Sequence, residues 1–507
     1  MKFKKGSSMF YGALLLTGAN LVLRLAGMSF HIYLSGRIGA AGVGLLQLIL
    51  SVKLLAFTLS SAGSRTCSLY LSAEALEQNR TVRPVLRGCF QYGLFFSLLT
   101  AAGLWLLTPE IAAGWIGDAA AESALHVFAL FLPIGCLNGI MTGFFTAAGR
   151  LRTLVAVEFL EQGCAMAATF ALLSRQAEAD SGQACLSVAL GTSLASALSL
   201  WALWVLRRDR PADRRGKRPP WRRVLGTALP VGLADDLRAG LNTVENLIIP
   251  RRLALFAGTI NAMADYGVLH GMVFPLLMLP AAILASLADL LVAEFSRCAR
   301  RPGQVRVRYL ARQGLRISLL FGICAGGVFF VSARPLGTLL YQSEAAGACI
   351  RLYAPLVPIL YVDGVVDAMC KGLGQQSANA RYNLATNLLD VALLWLLLPR
   401  CGMGGYYLSF AVTHLLNFAL SLRRLVRSAG IRLSPGPAMT ALLCGAAAVL
   451  PAALLRPLEG ISGVLLPAGC YLPALLSLWL LFQVVGRKDV LWLSGLLGAK
   501  RKARPGD

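Results

Sequence analysis

Four windows of the chain contain no Asp, Glu, Lys or Arg: Gly88–Pro109, Ser181–Leu206, Leu433–Leu455 and Gly460–Gly486. A helix that crosses the hydrocarbon of a bilayer needs about 20 mostly apolar residues, and each window supplies them. In lipid every backbone amide and carbonyl must be satisfied inside the protein, so only helices and closed barrels span. Barrel strands would alternate in hydropathy over about ten residues, whereas these runs are continuous. Composition agrees: 57% of the 507 residues are hydrophobic and 14% are charged, against about 25% charged in a soluble domain. The sequence reads as an all-α polytopic membrane protein.

Apolar runs between polar turns define fourteen spans, centred near Leu21, Leu54, Ser97, Pro133, Gly163, Ala195, Ala239, Leu279, Ile323, Tyr361, Leu389, Val412, Ala447 and Ser477. Lys and Arg in short loops mark the cytoplasmic side. With the N-terminus inside, 35 of the 48 basic residues fall in inside segments, eight in outside loops and five within spans. The outside loop with Glu110, Asp118 and Glu122 has no basic residue. One missed helix would scramble this alternation, so both termini are expected in the cytoplasm of a bacterial plasma membrane. The opening "MKFKKGSSMFYGALLL" is basic, but its apolar run continues to about Leu34, too long for a cleaved signal core.

The expected organisation is residues 1–206 with spans 1–6, a basic linker 207–223, residues 224–427 with spans 7–12, and residues 428–507 with spans 13–14 and a basic tail. The linker, "RRDRPADRRGKRPPWRR", resembles a nucleic-acid patch in isolation. Between two hydrophobic halves it reads as a cytoplasmic segment near anionic headgroups, so the net charge of +24 needs no nucleic acid. The twelve cysteines are scattered with no CxxC pair, which suits small core residues better than a metal or disulfide framework. Pro230, Pro275, Pro280, Pro355 and Pro358 lie in or beside spans, where they can kink helices.

Transporters are often built from repeated halves. At an offset of 214, Gly12 falls on Gly226, Arg24 on Arg238 and Arg37 on Arg251. At 225, Pro133 falls on Pro358, Gly139 on Gly364 and Gly149 on Gly374. Six spans separate the members, so the halves share an orientation and are related by an axis along the membrane normal, with a cavity expected between them.

Charge inside a span costs at least ~2.5 kcal/mol and ordinarily faces a partner or a watery cavity. Span 1 carries Arg24, span 2 carries Lys53 and Arg65, and span 7 carries Asp235, Asp236, Arg238 and Glu245. Asp235 and Arg238, three apart, share a helix face. Two readings stand side by side. In one, these charges neutralise each other or pair with acids of other spans, among them Glu158, Glu161, Asp363, Asp367 and Asp390. In the other, Arg24, Lys53 and Arg238 line a cationic cavity for an anionic guest, above all phosphate, which suits arginine's planar fork of donors. Arg251 and Arg252 then mark the outer mouth of span 7, as a release site or an interfacial anchor.

The stretches "LIIPRRL", "YGVLHGMVFPLLMLPAAIL" (Tyr266–Leu284) and "YVDGVVDAMCKGLGQQ" (Tyr361–Gln376) resemble the stage V sporulation protein B family. So does the opening "YGALLLTGANLVLRLAGMSFHIYLSGRIGAAGVGLLQL", and the likeness runs from about Phe10 to Arg427. That family is a polysaccharide-exporter branch of the multidrug/oligosaccharidyl-lipid/polysaccharide superfamily. The resemblance implies two six-helix lobes that alternate between inward- and outward-facing states, plus two C-terminal helices. It also implies a flippase for undecaprenyl-pyrophosphate-linked sugars. Related MurJ-type lipid II flippases place an arginine of span 1 and basic residues of spans 2 and 8 around the pyrophosphate. Arg24 matches the first and Lys53 stands in for the second, while span 8 has no assignable arginine. Two stretches depart from relatives: "SAGSRTCSLYLSAE" puts Arg65 near a usual proline, and "EFLEQGCAMAATF" lacks an arginine common after the Glu-Gln pair.

The implied partners are a polyprenyl-pyrophosphate-linked saccharide, membrane lipids and a coupling ion, Na+ or H+; no cofactor is implied. Substrate contacts are assigned to Arg24, Lys53, Arg238, Arg251 and Arg252, with Asp235 and Glu245 orienting the arginines or coupling to a cation. A cation-coupled multidrug antiporter of the MATE type is the alternative, though its chemistry calls for acid where span 1 has Arg24. An enzyme is disfavoured: neither GxxxxGK[ST] nor HExxH occurs, and the longest loop is the basic linker.

Overall fold

The computed structural model describes residues 3–175, 180–207, 221–298, 305–454 and 460–486. Most of the basic linker (208–220) and the C-terminal tail (487–507) lie outside them. Among the described residues the chain is helical, with no strand. The first half runs α1 (Phe3–Ser61), α2 (Ser64–Glu77), α3 (Arg83–Pro109), α4 (Ala121–Ala147), α5 (Leu151–Ser174), α6 (Ser181–Leu206) and α7 (Trp221–Leu253). There follow α8 (Ala262–Tyr266), α9 (Phe274–Met278), α10 (Ala281–Cys298), α11 (Val305–Val331), α12 (Ala333–Tyr341), α13 (Glu344–Tyr353) and α14 (Val357–Gly372). The chain continues with α15 (Gln376–Ala429), α16 (Pro435–Ala447), α17 (Val449–Ala453) and α18 (Gly460–Leu481).

Among the described residues ten helices are long and apolar enough to cross a membrane, and the bent pair Ala262–Met278 with Ala281–Ser296 makes an eleventh. It is a multi-pass helical membrane protein. Two of the ten, Leu21–Glu77 and Gln376–Ala429, have 57 and 54 residues, enough to cross twice. Each turns at a glycine that leaves helical geometry, Gly39 (φ 68, ψ 179) and Gly402 (φ 56, ψ −139). Side chains rarely adopt that left-handed region, and glycine does so freely. The helix α7 falls outside the ten, for it carries Asp235, Asp236, Arg238, Glu245, Arg251 and Arg252. The expected fourteen spans require both glycine turns, the bent pair and α7 together.

Packing groups residues 1–282 and 384–413 into one compact unit and residues 283–383 and 414–507 into a second. The division at 206, 223 and 427 follows the sequence repeat instead. In the first unit Tyr92, Cys67, Cys89, Ile140 and Phe145 form a buried core. Tyr92 Oη donates to the carbonyl of Ala62 at 2.9 Å, where the chain breaks between α1 and α2. There Gly63 and Gly232 let α7 meet the break backbone to backbone; a side chain on either would run into the other segment. Gly44 and Gly267 do the same between α1 and the π-helical segment Gly267–Val273. Pro275 opens α9, and Pro280 sits in the break before α10, where a missing amide costs nothing.

In the second unit α11, α16 and α18 share Ile323, Cys444, Tyr471 and Trp479, and Tyr471 Oη donates to the Ile323 carbonyl at 3.0 Å. Among the described residues no disulfide joins any of the twelve cysteines, and six of them are buried. The repeat proposed from Pro133–Gly149 and Pro358–Gly374 has a local counterpart. The helices α4 and α14 both end on a left-handed glycine, Gly149 (φ 67) and Gly374 (φ 73). Gly149 N donates to Thr146 O at 3.1 Å and Arg150 N to Phe145 O at 3.0 Å. Gly374 N donates to Lys371 O at 3.0 Å and Gln375 N to Cys370 O at 2.8 Å, the same cap.

Candidate functional site

Within the first unit, α1, α2, α4, α5 and α6 line an open cavity of about 790 Å³. Its charged lining is Lys53, Arg65, Glu158 and Glu161, and its apolar wall includes Phe57, Phe128 and Phe131. Lys53 projects from α1 about two turns before its C-terminal end, and its Nζ lies 4.3 Å from the centre of the Phe128 ring, a cation–π contact. Glu161 on α5 is the acid whose charge Lys53 feels, and Arg65 stands in the same relation to Glu158. Glu158 and Glu161 are three apart on α5 and so share its cavity face.

Asn138 on α4 organises the floor. Its Nδ2 donates to Glu161 Oε2 at 3.4 Å and to Ser196 Oγ at 3.5 Å, while Ser199 Oγ donates to its Oδ1 at 3.4 Å. The cavity is thus charge-balanced, two cations against two carboxylates, with aromatic faces alongside. Such a mixture can take an anionic group on Lys53 and Arg65 if the ligand competes with the glutamates. Its volume is that of a small-ligand site, commonly 300–1,000 Å³.

A second polar layer joins α1, α7 and α15 in the same unit. Thr243 Oγ1 donates to the Ser51 carbonyl at 3.1 Å, and Asn246 Nδ2 donates to Ser51 Oγ at 3.0 Å. Glu245 lies within hydrogen-bond reach of Asp390. Asp390 is buried and accepts from Ser409 Oγ at 2.5 Å and Thr413 Oγ1 at 3.2 Å. Two carboxyl groups in contact make a place where a proton or a metal cation is stabilising, because two like charges repel there.

The residues singled out from sequence separate. Lys53 lines the cavity. Arg24, Arg238 and Arg251 are exposed and have no ion-pair partner among the described residues. Asp235 is exposed too, and no ion pair forms between it and Arg238. The neighbouring Asp236 faces Thr58. Arg252 is held: Nε and Nη2 donate to the Trp395 carbonyl at 3.2 and 2.9 Å, and its guanidinium lies 3.6 Å from the Trp395 ring centre. Glu245 sits with Asp390, far off in sequence and brought alongside by the packing of α7 on α15. Asn138 was not singled out; a lone amide in an apolar run, which must find partners when buried, was the available signal.

No protein-family model matches the chain. Stage V sporulation protein B of Bacillus subtilis (strain 168) is 25% identical over 407 residues, covering 78% of each chain. This chain is its homologue. Several solved structures share the fold, two of them as follows. The lipid II flippase MurJ, in an inward closed conformation, superposes with a TM-score of 0.73 at 12% identity, over 94% of this chain and 100% of its own. A multidrug resistance MATE family transporter of the MOP superfamily, inward-facing, does so with a TM-score of 0.66 at 14% identity, over 82% of this chain and 100% of its own.

Proposed function

We propose that the chain is a flippase that carries a polyprenyl-pyrophosphate-linked saccharide across a bacterial plasma membrane, with both termini cytoplasmic. The observation that carries this reading is the cavity in which Lys53 and Arg65 stand together against aromatic walls. Homology to stage V sporulation protein B and the fold shared with MurJ support a lipid-linked substrate of cell-wall or polysaccharide synthesis. Arg24 and Arg238 add to it. Each is an exposed arginine, without an ion pair among the described residues, in the middle of a segment read as crossing the membrane, where contact with lipid is costly and contact with water is not. They suit a hydrated path along which a pyrophosphate moves while the polyprenyl tail remains in lipid. The two halves, 1–206 and 224–427, would alternate the side to which that path opens. Glu245 with Asp390 is suited to take up Na+ or H+, and Asp235 to orient Arg238. Arg251 keeps the role of an outer contact, whereas Arg252, bound to Trp395, serves as an anchor.

A MATE-type cation-coupled antiporter is the second reading, favoured by Glu158 and Glu161 in the same cavity, which would attract a cationic guest. Native mass spectrometry of protein purified in mild detergent separates the two. The flippase reading expects a co-purifying polyprenyl-pyrophosphate species that is lost in Arg24→Ala and Arg238→Ala. Ordinary phospholipid alone, equal in wild type and variants, would move the antiporter ahead.

A further inference from the structure

The second unit holds a polar centre of a different kind. Asp363 and Asp367 lie four apart on one face of α14. Asn417 Nδ2 donates to Asp363 Oδ2 at 3.0 Å, and Asn379 Nδ2 donates to Asp367 Oδ1 at 2.8 Å. Each amide therefore points its donor at a carboxylate and leaves its own oxygen without one. Asp363 Oδ1, Asn379 Oδ1, Asn417 Oδ1 and Ser421 Oγ are all buried with no hydrogen-bond partner among the described residues. Asn379, Asn417 and Ser421 are only 4%, 8% and 1% exposed. Ser421 lies one turn after Asn417 on α15, and its carbonyl receives the thiol of Cys370, one turn beyond Asp367. The orphaned oxygens thus gather around one junction, where α14 meets the start and the end of α15.

An unpaired buried polar group is ordinarily a loss, and buried polar side chains nearly always find partners. Three neutral orphans beside Asp363, whose own Oδ1 is the fourth, call for positive charge. The nearby basic side chain Arg424 is engaged elsewhere, its Nε donating to Gln375 Oε1 at 2.9 Å and its Nη2 at 2.5 Å. Lys371 is exposed. The donors are carboxylate, amide and hydroxyl oxygens, the set that hard alkali and alkaline-earth cations prefer. Among the described residues no three His, Cys, Asp or Glu side chains gather as a transition-metal site would.

We propose that Asp363, Asp367, Asn379, Asn417 and Ser421 bind a hard metal cation through their side-chain oxygens. The ion would tie α14 to residues of α15 before and after its turn at Gly402. This site is separate from Glu245 and Asp390, and its occupancy does not depend on what the protein transports.

The test is equilibrium binding of 22Na+ and, separately, 45Ca2+ to the full chain, purified in detergent in choline chloride. Glu245→Gln serves as the background, so that the carboxyl pair of the other unit does not contribute. On that background one of the two ions should bind, and adding Asp363→Asn should weaken it at least tenfold. Ser421→Ala, which removes one neutral oxygen, should weaken it about fivefold, and it decides the matter if Asp363→Asn does not yield folded protein. Failure of the background protein to bind either ion would overturn the proposal. So would unchanged affinity in the Asp363 or, in its place, the Ser421 variant.

Discussion

Asn138 and Asp363 occupy the same place in the repeat, for the offset of 225 that carries Pro133 onto Pro358 and Gly149 onto Gly374 carries one onto the other. Their surroundings differ. Asn138 joins Glu161, Ser196 and Ser199 beside a cavity that also holds Lys53 and Arg65. Asp363 joins Asn417 in close packing, with orphaned oxygens around it. The helix frame and its glycine caps are held in common, while the polar side chains on that frame have parted. At this position one half presents charge around open space, and the other encloses it. Backbone devices such as a left-handed cap tolerate little change, whereas a polar position inside a bundle can take a new role once its partners change with it.

Exchanging the two residues attacks this comparison most directly. Asn138→Asp adds a third carboxylate to Glu158 and Glu161 and should destabilise by about 2–3 kcal/mol, read as a lower melting temperature in detergent. Asp363→Asn keeps an acceptor for Asn417 and removes a buried charge, so in choline buffer its melting temperature should stay near wild type. Equal losses from both would mean that the two environments are not different in kind.

The glycine caps supply a smaller effect. Gly149→Ala and Gly374→Ala each force a side chain into the left-handed region at about 1–2 kcal/mol, and their melting shifts should match. A shift in one alone would end the equivalence of the caps. Smaller still, Arg252→Ala removes a stacked contact worth about 0.5–1 kcal/mol. It should lower the melting temperature slightly and leave binding of a pyrophosphate lipid unaltered. Weakened binding there would restore Arg252 as a ligand rather than an anchor.

Much of the helical architecture was legible because a bilayer imposes it: charge-free windows and the mid-span position of Lys53 are one-dimensional signals. The turns at Gly39 and Gly402 fall where the sequence changes from one span to the next, although the helix reads as continuous in hydrogen bonding. Pairing was much less legible. Glu161 could be named as one acid among several but not matched to Lys53 on a distant helix, and Asp390 was not matched to Glu245. No periodicity links such residues; only the packing of separate helices does. The arginines share one chemistry, yet Arg252 found a carbonyl and a ring while Arg24 and Arg238 did not, and nothing local in the sequence distinguishes them. The oxygen centre near Asp363 needed the same tertiary information, since its donors come from three stretches of chain.

The central claim is that the cations of the first-unit cavity receive a pyrophosphate. The most direct measurement is a native mass-spectrometric titration of undecaprenyl pyrophosphate onto wild type and Lys53→Gln, with melting temperatures taken in parallel. Loss of a charged hydrogen bond is worth about 1.5–3 kcal/mol, so affinity should fall about 10- to 100-fold while the fold is retained. Equal affinity in the two proteins would contradict the claim and leave Lys53 as a structural counter-charge to Glu161.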